Sequence, residues 1–286
     1  MAENTNPLSK YYRQPTIYIK FPSGGKYYND DVVVPTETGE HAVLPMTAKD
    51  DLAFKTPDSL MSGQSSVDVV KSCIPDILDP WKLTNYDVDT VLIAIRIASY
   101  GETMDVTSTV PTINEQATHT VSLPELLGRM MSVKIRETAT LKDGLKIKVK
   151  PLTYKQMTDS QLKTFEQQRM YVQLNQSKFS DEEKTKRFND SFKTLTELNS
   201  QLLLSNIESI TLPGGGEVVS DSAQISDFID NATSKLITEL EQALVEIRQQ
   251  GSMKPILVKA TDEQIKKGAP ATYQVPVTFD NANFFG

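Results

Sequence analysis

Apolar and polar residues alternate over residues 16–21, Thr16-Ile17-Tyr18-Ile19-Lys20-Phe21, a period of two that predicts a strand. Pro22-Ser23-Gly24-Gly25 supplies a turn, and residues 26–28 read as the returning strand of a hairpin. Residues 30–35 and 42–44 add two more short strands, separated by Glu37-Thr38-Gly39-Glu40, so a small antiparallel sheet opens the chain. The period then changes. Residues 44–77 hold three helix starts: Thr47 ahead of Asp50 and Asp51, Thr56 ahead of Pro57, and Ser65 or Ser66 after a left-handed stop at Gly63. The third of these helices carries Val67, Val70 and Ile74, and Pro75 ends it. The next, capped by Thr84 or Asn85 and stopped by Gly101, repeats Val88, Val91, Leu92, Ile95 and Ala98 at helical spacing. Asp87 and Asp89 read as complements to its positive end, and Arg96 as a side chain that points out or pairs with a carboxylate.

Residues 105–110 and 117–121 predict strands, and residues 123–131 a helix. Asp143-Gly144 predicts a two-residue turn between strands at 133–141 and 145–149, with the first domain ending at Pro151. Beyond Leu152 the pattern is Gln-rich and helical over 154–178 and 181–209, with a start signal at Ser180, and the short connection predicts an antiparallel helical hairpin. Residues 213–216, Pro-Gly-Gly-Gly, force a turn, and Val218-Val219 reads as a strand edge. One long helix follows, capped by Asp221 or Ser222 and running to Gly251 through Ile225, Phe228, Ile229, Leu236, Ile237, Leu240, Leu244 and Ile247. These helices bear more apolar surface than one hairpin buries, so they bundle, offer a face to a partner, or both. Residues 256–258 and 273–279 form a last pair of strands around a lysine-bearing loop at 261–271. The expected fold class is α+β: small N-terminal antiparallel sheets with short helices, then a long-helix hairpin or bundle ending in a β-hairpin. The expected divisions are a tail at 1–15, an α+β domain at 16–151, helices at 152–252 and a terminal hairpin at 253–286.

Composition narrows the function classes. Hydrophobic residues are 38% and charged residues 23% of 286, enough to build a real core. The net charge of −7 gives little support to nucleic-acid binding. Lys134, Arg136, Lys142, Lys146, Lys148 and Lys150 cluster in sequence, but on a hairpin they read as one solvated sheet face. The single cysteine, Cys73, allows no internal disulfide or multi-thiolate metal site, and reads as a small buried hydrophobe in a reducing compartment. The longest apolar run, residues 91–98, is interrupted by Arg96 and too short for a bilayer. With no secretory signal pattern at the start, a soluble, cytoplasmic protein is expected. Gly24-Gly25-Lys26 and residues 213–216 lack the spacing and the Lys-Ser/Thr of a phosphate loop. The two histidines, His41 and His119, sit far apart in sequence with no G-x-S-x-G elbow. No cofactor, metal or catalytic residue is expected. The alternative class is a cell-wall hydrolase working through a carboxylate pair.

The segment at residues 49–77, KDDLAFKTPDSLMSGQSSVDVVKSCIPDI, follows an opening with PLSKYYRQP at 7–15 and FPSGGKYY at 21–28. In that order the three resemble the T4-like phage baseplate protein family, including its gene product 26-like hub-assembly members. The resemblance implies a non-enzymatic role in forming the baseplate hub, as a structural part of the contractile tail or as an assembly chaperone. Its partners would be other tail and baseplate proteins, with no nucleic acid, membrane or small-molecule substrate, and with self-association left open. It would work in the host cytoplasm during assembly and in the virion tail baseplate. In this family the C-terminal region looks like a zinc ribbon with two cysteine pairs. Here PVTFDNANFF at 276–285 matches the ending but the cysteines are absent, which leaves a metal-free hairpin. Docking is expected through the N-terminal tail, residues 44–77 and the aromatic end. The candidate residues are Leu52, Phe54, Lys55, Thr56, Pro57, Asp58, Leu60, Gly63, Phe284 and Phe285.

Overall fold

The alternation at the start of the chain is realised as a short strand, β1 (Ile17–Ile19), which buries Ile19. The computed structural model describes residues 6–54, 62–176, 180–251 and 253–277. The partner of β1 is β2 (His41–Val43), antiparallel, with Ile17 opposite Val43 and Ile19 opposite His41. The expected hairpin with residues 26–28 does not form: residues 22–27 are consecutive turns, with Gly24 and Gly25 at φ +67° and +76°. The physical reason lies on another element, because the backbone N–H of Ser23 is spent on the carboxylate of Asp87 instead of a ladder. Residues 30–35 add a single bridge, Val33 to Ile77. Helix α1 (Ala48–Phe54) starts at Thr47 as expected, and the start predicted at Thr56 lies outside the described residues. Helix α2 (Gln64–Cys73) begins directly after Gly63, whose φ of +74° sets its entry. Ser65 and Ser66 are therefore not caps. They are buried in its first turn, and the Ser65 hydroxyl donates to the Ala53 carbonyl at 2.9 Å, tying α2 to α1. Helix α3 (Asn85–Tyr100) buries Val88, Val91, Leu92 and Ile95 and stops at Gly101, φ +97°. A seven-residue hairpin of β3 (Thr103–Thr109) and β4 (Gln116–Ser122) leads into α4 (Leu123–Met131), capped by Ser122.

Two compact units share the chain, one drawn from residues 1–80, 86–133 and 253–286, the other from 81–85 and 134–252. In the second, β5 (Thr138–Thr140) and β6 (Lys146–Val149) turn through Gly144, φ +89°. Helices α5 (Tyr154–Gln176) and α6 (Asp181–Asn206) pack as the expected hairpin, with a capping box at Ser180 and Glu183. The helix does not continue to residue 209. Ile207-Glu208-Ser209-Ile210-Thr211 is rich in β-branched residues and becomes β7 (Ile207–Thr211), which pairs with β6 and with β8 (Val218–Val219). The strand order is β5-β6-β7-β8, so the sheet joins residues on both sides of Pro151. The lysines of β6 lie on its solvated side, where Lys148 meets Glu208 at 2.6 Å, while Ile147 and Val149 face the core. The long helix expected up to Gly251 is two: α7 (Ser222–Asn231) and α8 (Ser234–Gly251). Ala232 is extended (φ −70°, ψ 151°) and the Thr233 hydroxyl accepts from the Leu236 N–H at 3.3 Å, so a cap interrupts the run. Ile147, Leu203, Ile210, Ile225, Leu240 and Ile247 form the centre of this unit's core.

The chain then rejoins the first unit through β9 (Ile256–Lys259) and β10 (Thr272–Val275), an antiparallel pair. Between them the expected loop contains a short helix, α9 (Asp262–Lys266), with Thr261 and Gln264 as its capping box. Tyr273, Val275 and Ala269 bury against Val110, and the Lys267 ammonium reaches Glu115 at 2.6 Å. This packing and the Lys267–Glu115 contact hold the pair in place. The fold is α+β, with small antiparallel sheets and helices.

Candidate functional site

The predicted docking stretch is organised around one carboxylate. Asp50 lies at the third position of α1, where it closes a capping box with Thr47: its own N–H donates to the Thr47 hydroxyl at 3.3 Å. Its Oδ2 accepts from the Thr47 backbone N–H at 2.8 Å, the Thr47 hydroxyl at 2.7 Å and the Ser72 hydroxyl at 3.0 Å. Arg13 completes the cluster. Its Nη1 donates to Asp50 at 3.3 Å and to the Pro45 carbonyl at 2.9 Å. Its Nη2 donates to the carbonyl and hydroxyl of Ser72 at 2.7 and 2.9 Å. One guanidinium thus joins the N-terminal segment, α1 and α2. The capping spacing of Thr47 and Asp50 was visible in the sequence; Arg13, 37 residues earlier in the chain, carried no such signal.

Arg13 Nη1 also lies 3.8 Å from the Cys73 sulfur. Burial and the neighbouring Asp50 push that thiol up to about 12, with Arg13 opposing, so it stays protonated and inert. Just ahead of Arg13 a 3₁₀ turn, Pro7–Tyr11, is capped by the Asn6 side chain, which also donates to the Tyr12 hydroxyl at 2.9 Å. The segment presents Leu8, Tyr11 and Tyr12 to solvent, Tyr11 at 75% exposure.

Of the expected docking residues, Leu52 is 65% exposed and projects from α1. Phe54 is 3% exposed and sits in the core, so it offers no surface in this conformation. Gly63 is the hinge into α2 and is buried. Lys55, Thr56, Pro57, Asp58 and Leu60, with Phe284 and Phe285, lie outside the described residues.

A second polar cluster, missed at the sequence level, fastens residues 22–28. Asp87 is fully buried and accepts from the Ser23 N–H at 3.0 Å and from the Tyr28 hydroxyl. Helix-end complementarity does not describe it; it is a tertiary acceptor. The adjoining hollow, about 410 Å³, is lined by residues that include Lys20, Phe21, Tyr28, Asp30 and His41. His41 stacks on Phe21 at 4.6 Å, and its Nδ1 lies 3.1 Å from Asp76. Among the described lining residues Asp30 is the one carboxylate, so the hollow does not offer the pair that the hydrolase alternative requires. The other histidine, His119, meets the Tyr273 hydroxyl at 2.9 Å and links β4 to β10.

Two charged groups on α3 depart from expectation. Arg96 is half-buried and meets no carboxylate among the described residues: its guanidinium stacks on the Tyr100 ring at 4.5 Å, and the Tyr100 hydroxyl donates to Asp51. Its Nε and Nη1 are buried without a hydrogen-bond partner among the described residues, and burial lowers its pKa. Asp89 is half-buried, and desolvation raises its carboxyl from 3.8 to about 7. The folded chain therefore holds that proton more tightly than the unfolded chain does. Stability falls as pH rises from about 4 to about 7 and is level above that range. Asp89→Asn is expected to flatten this slope and to raise stability at about pH 8 by about 1–2 kcal/mol. Residual solvent contact keeps the gain below the roughly 4 kcal/mol that the full displacement implies. Urea unfolding at about pH 5 and about pH 8 measures it, and an equal or larger loss at the higher pH in the variant contradicts the assignment.

No cluster of three or more metal-ligating side chains occurs among the described residues, and no described helix is long and apolar enough to cross a membrane. The family described as T4 bacteriophage base plate protein matches residues 15–257. No curated protein and no solved structure matches the chain. The match spans most of the 286 residues and both compact units, and the chain belongs to the T4 bacteriophage base plate protein family.

Proposed function

We propose that this protein is a non-enzymatic part of the phage tail baseplate, acting in the hub in a gene product 26-like role. It works by docking onto other tail proteins, in the host cytoplasm during assembly and in the virion tail. The observation that carries this reading is the fastened N-terminal arm. Leu8, Tyr11 and Tyr12 are exposed on a segment that Arg13 anchors to α1 and α2 through five oxygen and sulfur acceptors. An arm held in place loses less conformational entropy on binding, and tyrosine offers apolar area with a polar tip. Leu52 on α1 extends the same apolar, uncharged chemistry. The non-enzymatic reading draws on how the buried and half-buried polar groups are spent. Asp50, Asp87, His41 and His119 each hold two segments of the fold together.

Co-expression of the full chain with the other tail proteins, followed by affinity capture, tests the reading. Wild type retains a tail protein, and Leu8→Ala/Tyr11→Ala lowers its recovery about tenfold or more. Equal recovery by the double variant overturns docking through this arm. Quantitative mass spectrometry of purified virions separates the two roles: stoichiometric recovery marks a component of the tail, and near-absence marks an assembly chaperone.

A further inference from the structure

The hollow of about 410 Å³ beside residues 22–28 has a buried histidine in its wall with one nitrogen still unengaged. His41, on β2, is 4% exposed and lines the hollow. Its Nδ1 lies 3.1 Å from Asp76, which is not a lining residue, so this nitrogen is turned out of the hollow. A carboxylate only accepts, which puts the hydrogen of the neutral ring on Nδ1 and leaves a lone pair on Nε2. Nε2 has no hydrogen-bond partner among the described residues. With the ring stacked on Phe21 at 4.6 Å, Nε2 is the polar atom that His41 has left to offer the hollow. The other polar side chains of the wall are already engaged. The Tyr28 hydroxyl donates to Asp87, the Thr36 hydroxyl donates to the Glu40 carbonyl at 2.9 Å, and Lys20 pairs with Glu40 at 3.6 Å. Phe21, Val33 and Pro35 add apolar wall, and at Gly24, Gly25 and Gly39 a Cβ would meet no atom within 4 Å, so the space beside them is open.

We infer that the hollow takes a tyrosine side chain of a partner protein, with the phenol hydroxyl donating to His41 Nε2. The occupant follows from what the wall can satisfy. A sugar or a nucleotide brings many polar groups, and each one that leaves water without a partner is unfavourable. An anion would meet one lysine that already pairs with Glu40, and the Asp30 carboxylate on the same wall. An apolar body with a single donor is the chemistry that remains. Tyrosine carries that donor at its tip, whereas tryptophan carries it on the flank of a larger ring. The volume lies at the low end of the range of about 300–1,000 Å³ for ligand pockets, in keeping with one side chain. The inference rests on the docking reading only in that a protein supplies the tyrosine, and the hollow shares no residue with the exposed arm.

Titration of the isotope-labelled full chain with N-acetyltyrosinamide tests the proposal, followed by NMR at about pH 8, where the ring is neutral. The His41 ring nitrogens and the backbone amides of Gly24, Gly25 and Gly39 are expected to shift saturably, with Kd on the order of 1 mM. N-acetylphenylalaninamide, which lacks only the hydroxyl, is expected to bind about tenfold more weakly. His41→Phe keeps a ring on Phe21 and removes the acceptor, so it should bind the two amides equally, with an unchanged far-UV circular dichroism spectrum to verify the fold. If that variant unfolds, the comparison of the two amides on wild type still decides. Leu8→Ala/Tyr11→Ala should bind N-acetyltyrosinamide as wild type does, so a failure of the arm in tail-protein capture and a failure of the hollow are read separately. No saturable shift by about 10 mM overturns the proposal, as does equal binding of the two amides by wild type or a tyrosine preference that survives in folded His41→Phe. A stronger response to inorganic phosphate also overturns it, by assigning the hollow to an anion.

Discussion

Replacing Asp50 with alanine is expected to destabilise the first unit by about 3 kcal/mol, read as a fall in the urea midpoint of the full chain. The magnitude follows from what is left behind. Asp50 Oδ2 accepts from Thr47 and Ser72 and faces the Arg13 guanidinium at 3.3 Å, and both charged side chains are mostly buried. Removing one member of such a pair strands the other, which costs about 3–5 kcal/mol in a dry interior. Arg13 keeps about a quarter of its side chain in water, so the lower end applies. Thr47→Ala removes only the cap and should cost about 1 kcal/mol. A double-mutant cycle with Arg13→Ala isolates the coupling, since the two share partners and cannot add independently. If Asp50→Ala unfolds within about 0.5 kcal/mol of wild type, the cluster does not hold the arm, and the basis for a fastened docking segment disappears with it.

Asp87→Ala should have an effect of similar size, about 3 kcal/mol, for a different reason. The carboxylate is fully buried and receives a backbone N–H from Ser23 and the hydroxyl of Tyr28. Its loss takes away the acceptor that a buried amide and a part-buried hydroxyl use here, each such bond being worth about 1–3 kcal/mol. Tyr28→Phe removes one of these donors and should cost about 1 kcal/mol. Limited proteolysis gives an independent reading. Residues 22–27 are consecutive turns held by this carboxylate, so the alanine variant should be cut there before the helices are. Cleavage first within α3 or β3 would show that the turns are fastened by something else.

The two histidines, absent from any motif, turn out to be ties between segments, His41 to Asp76 and His119 to Tyr273. Neither tie is legible in one dimension, because the partners are 35 and 154 residues apart. Helix positions were easier. The 3.6-residue repeats of α3 and α6 and the cap at Ser180 specify local structure through contacts three or four residues away. Errors fell where a local pattern had two solutions. Residues 26–28 could end a hairpin, and residues 207–211 could extend a helix; in each case the decision came from a distant group, the Asp87 carboxylate or the β6 edge. The break at Ala232 is hidden for the opposite reason: the apolar repeat runs through it in phase, and only the Thr233 cap marks it.

The docking stretch divides along the same line. Its sequence alone determined that α1 begins at Thr47, that Gly63 takes a left-handed turn, and which family the chain resembles, because caps, turns and ordered motifs are local properties of the chain. Tertiary structure alone decided that Phe54 faces inward while Leu52 faces out, that Arg13 holds the N-terminal arm, and that residues 256–275 return to the first unit. Burial and ion pairing depend on which segments meet, and that is set by the packing of the whole core, beyond the reach of any short-range pattern.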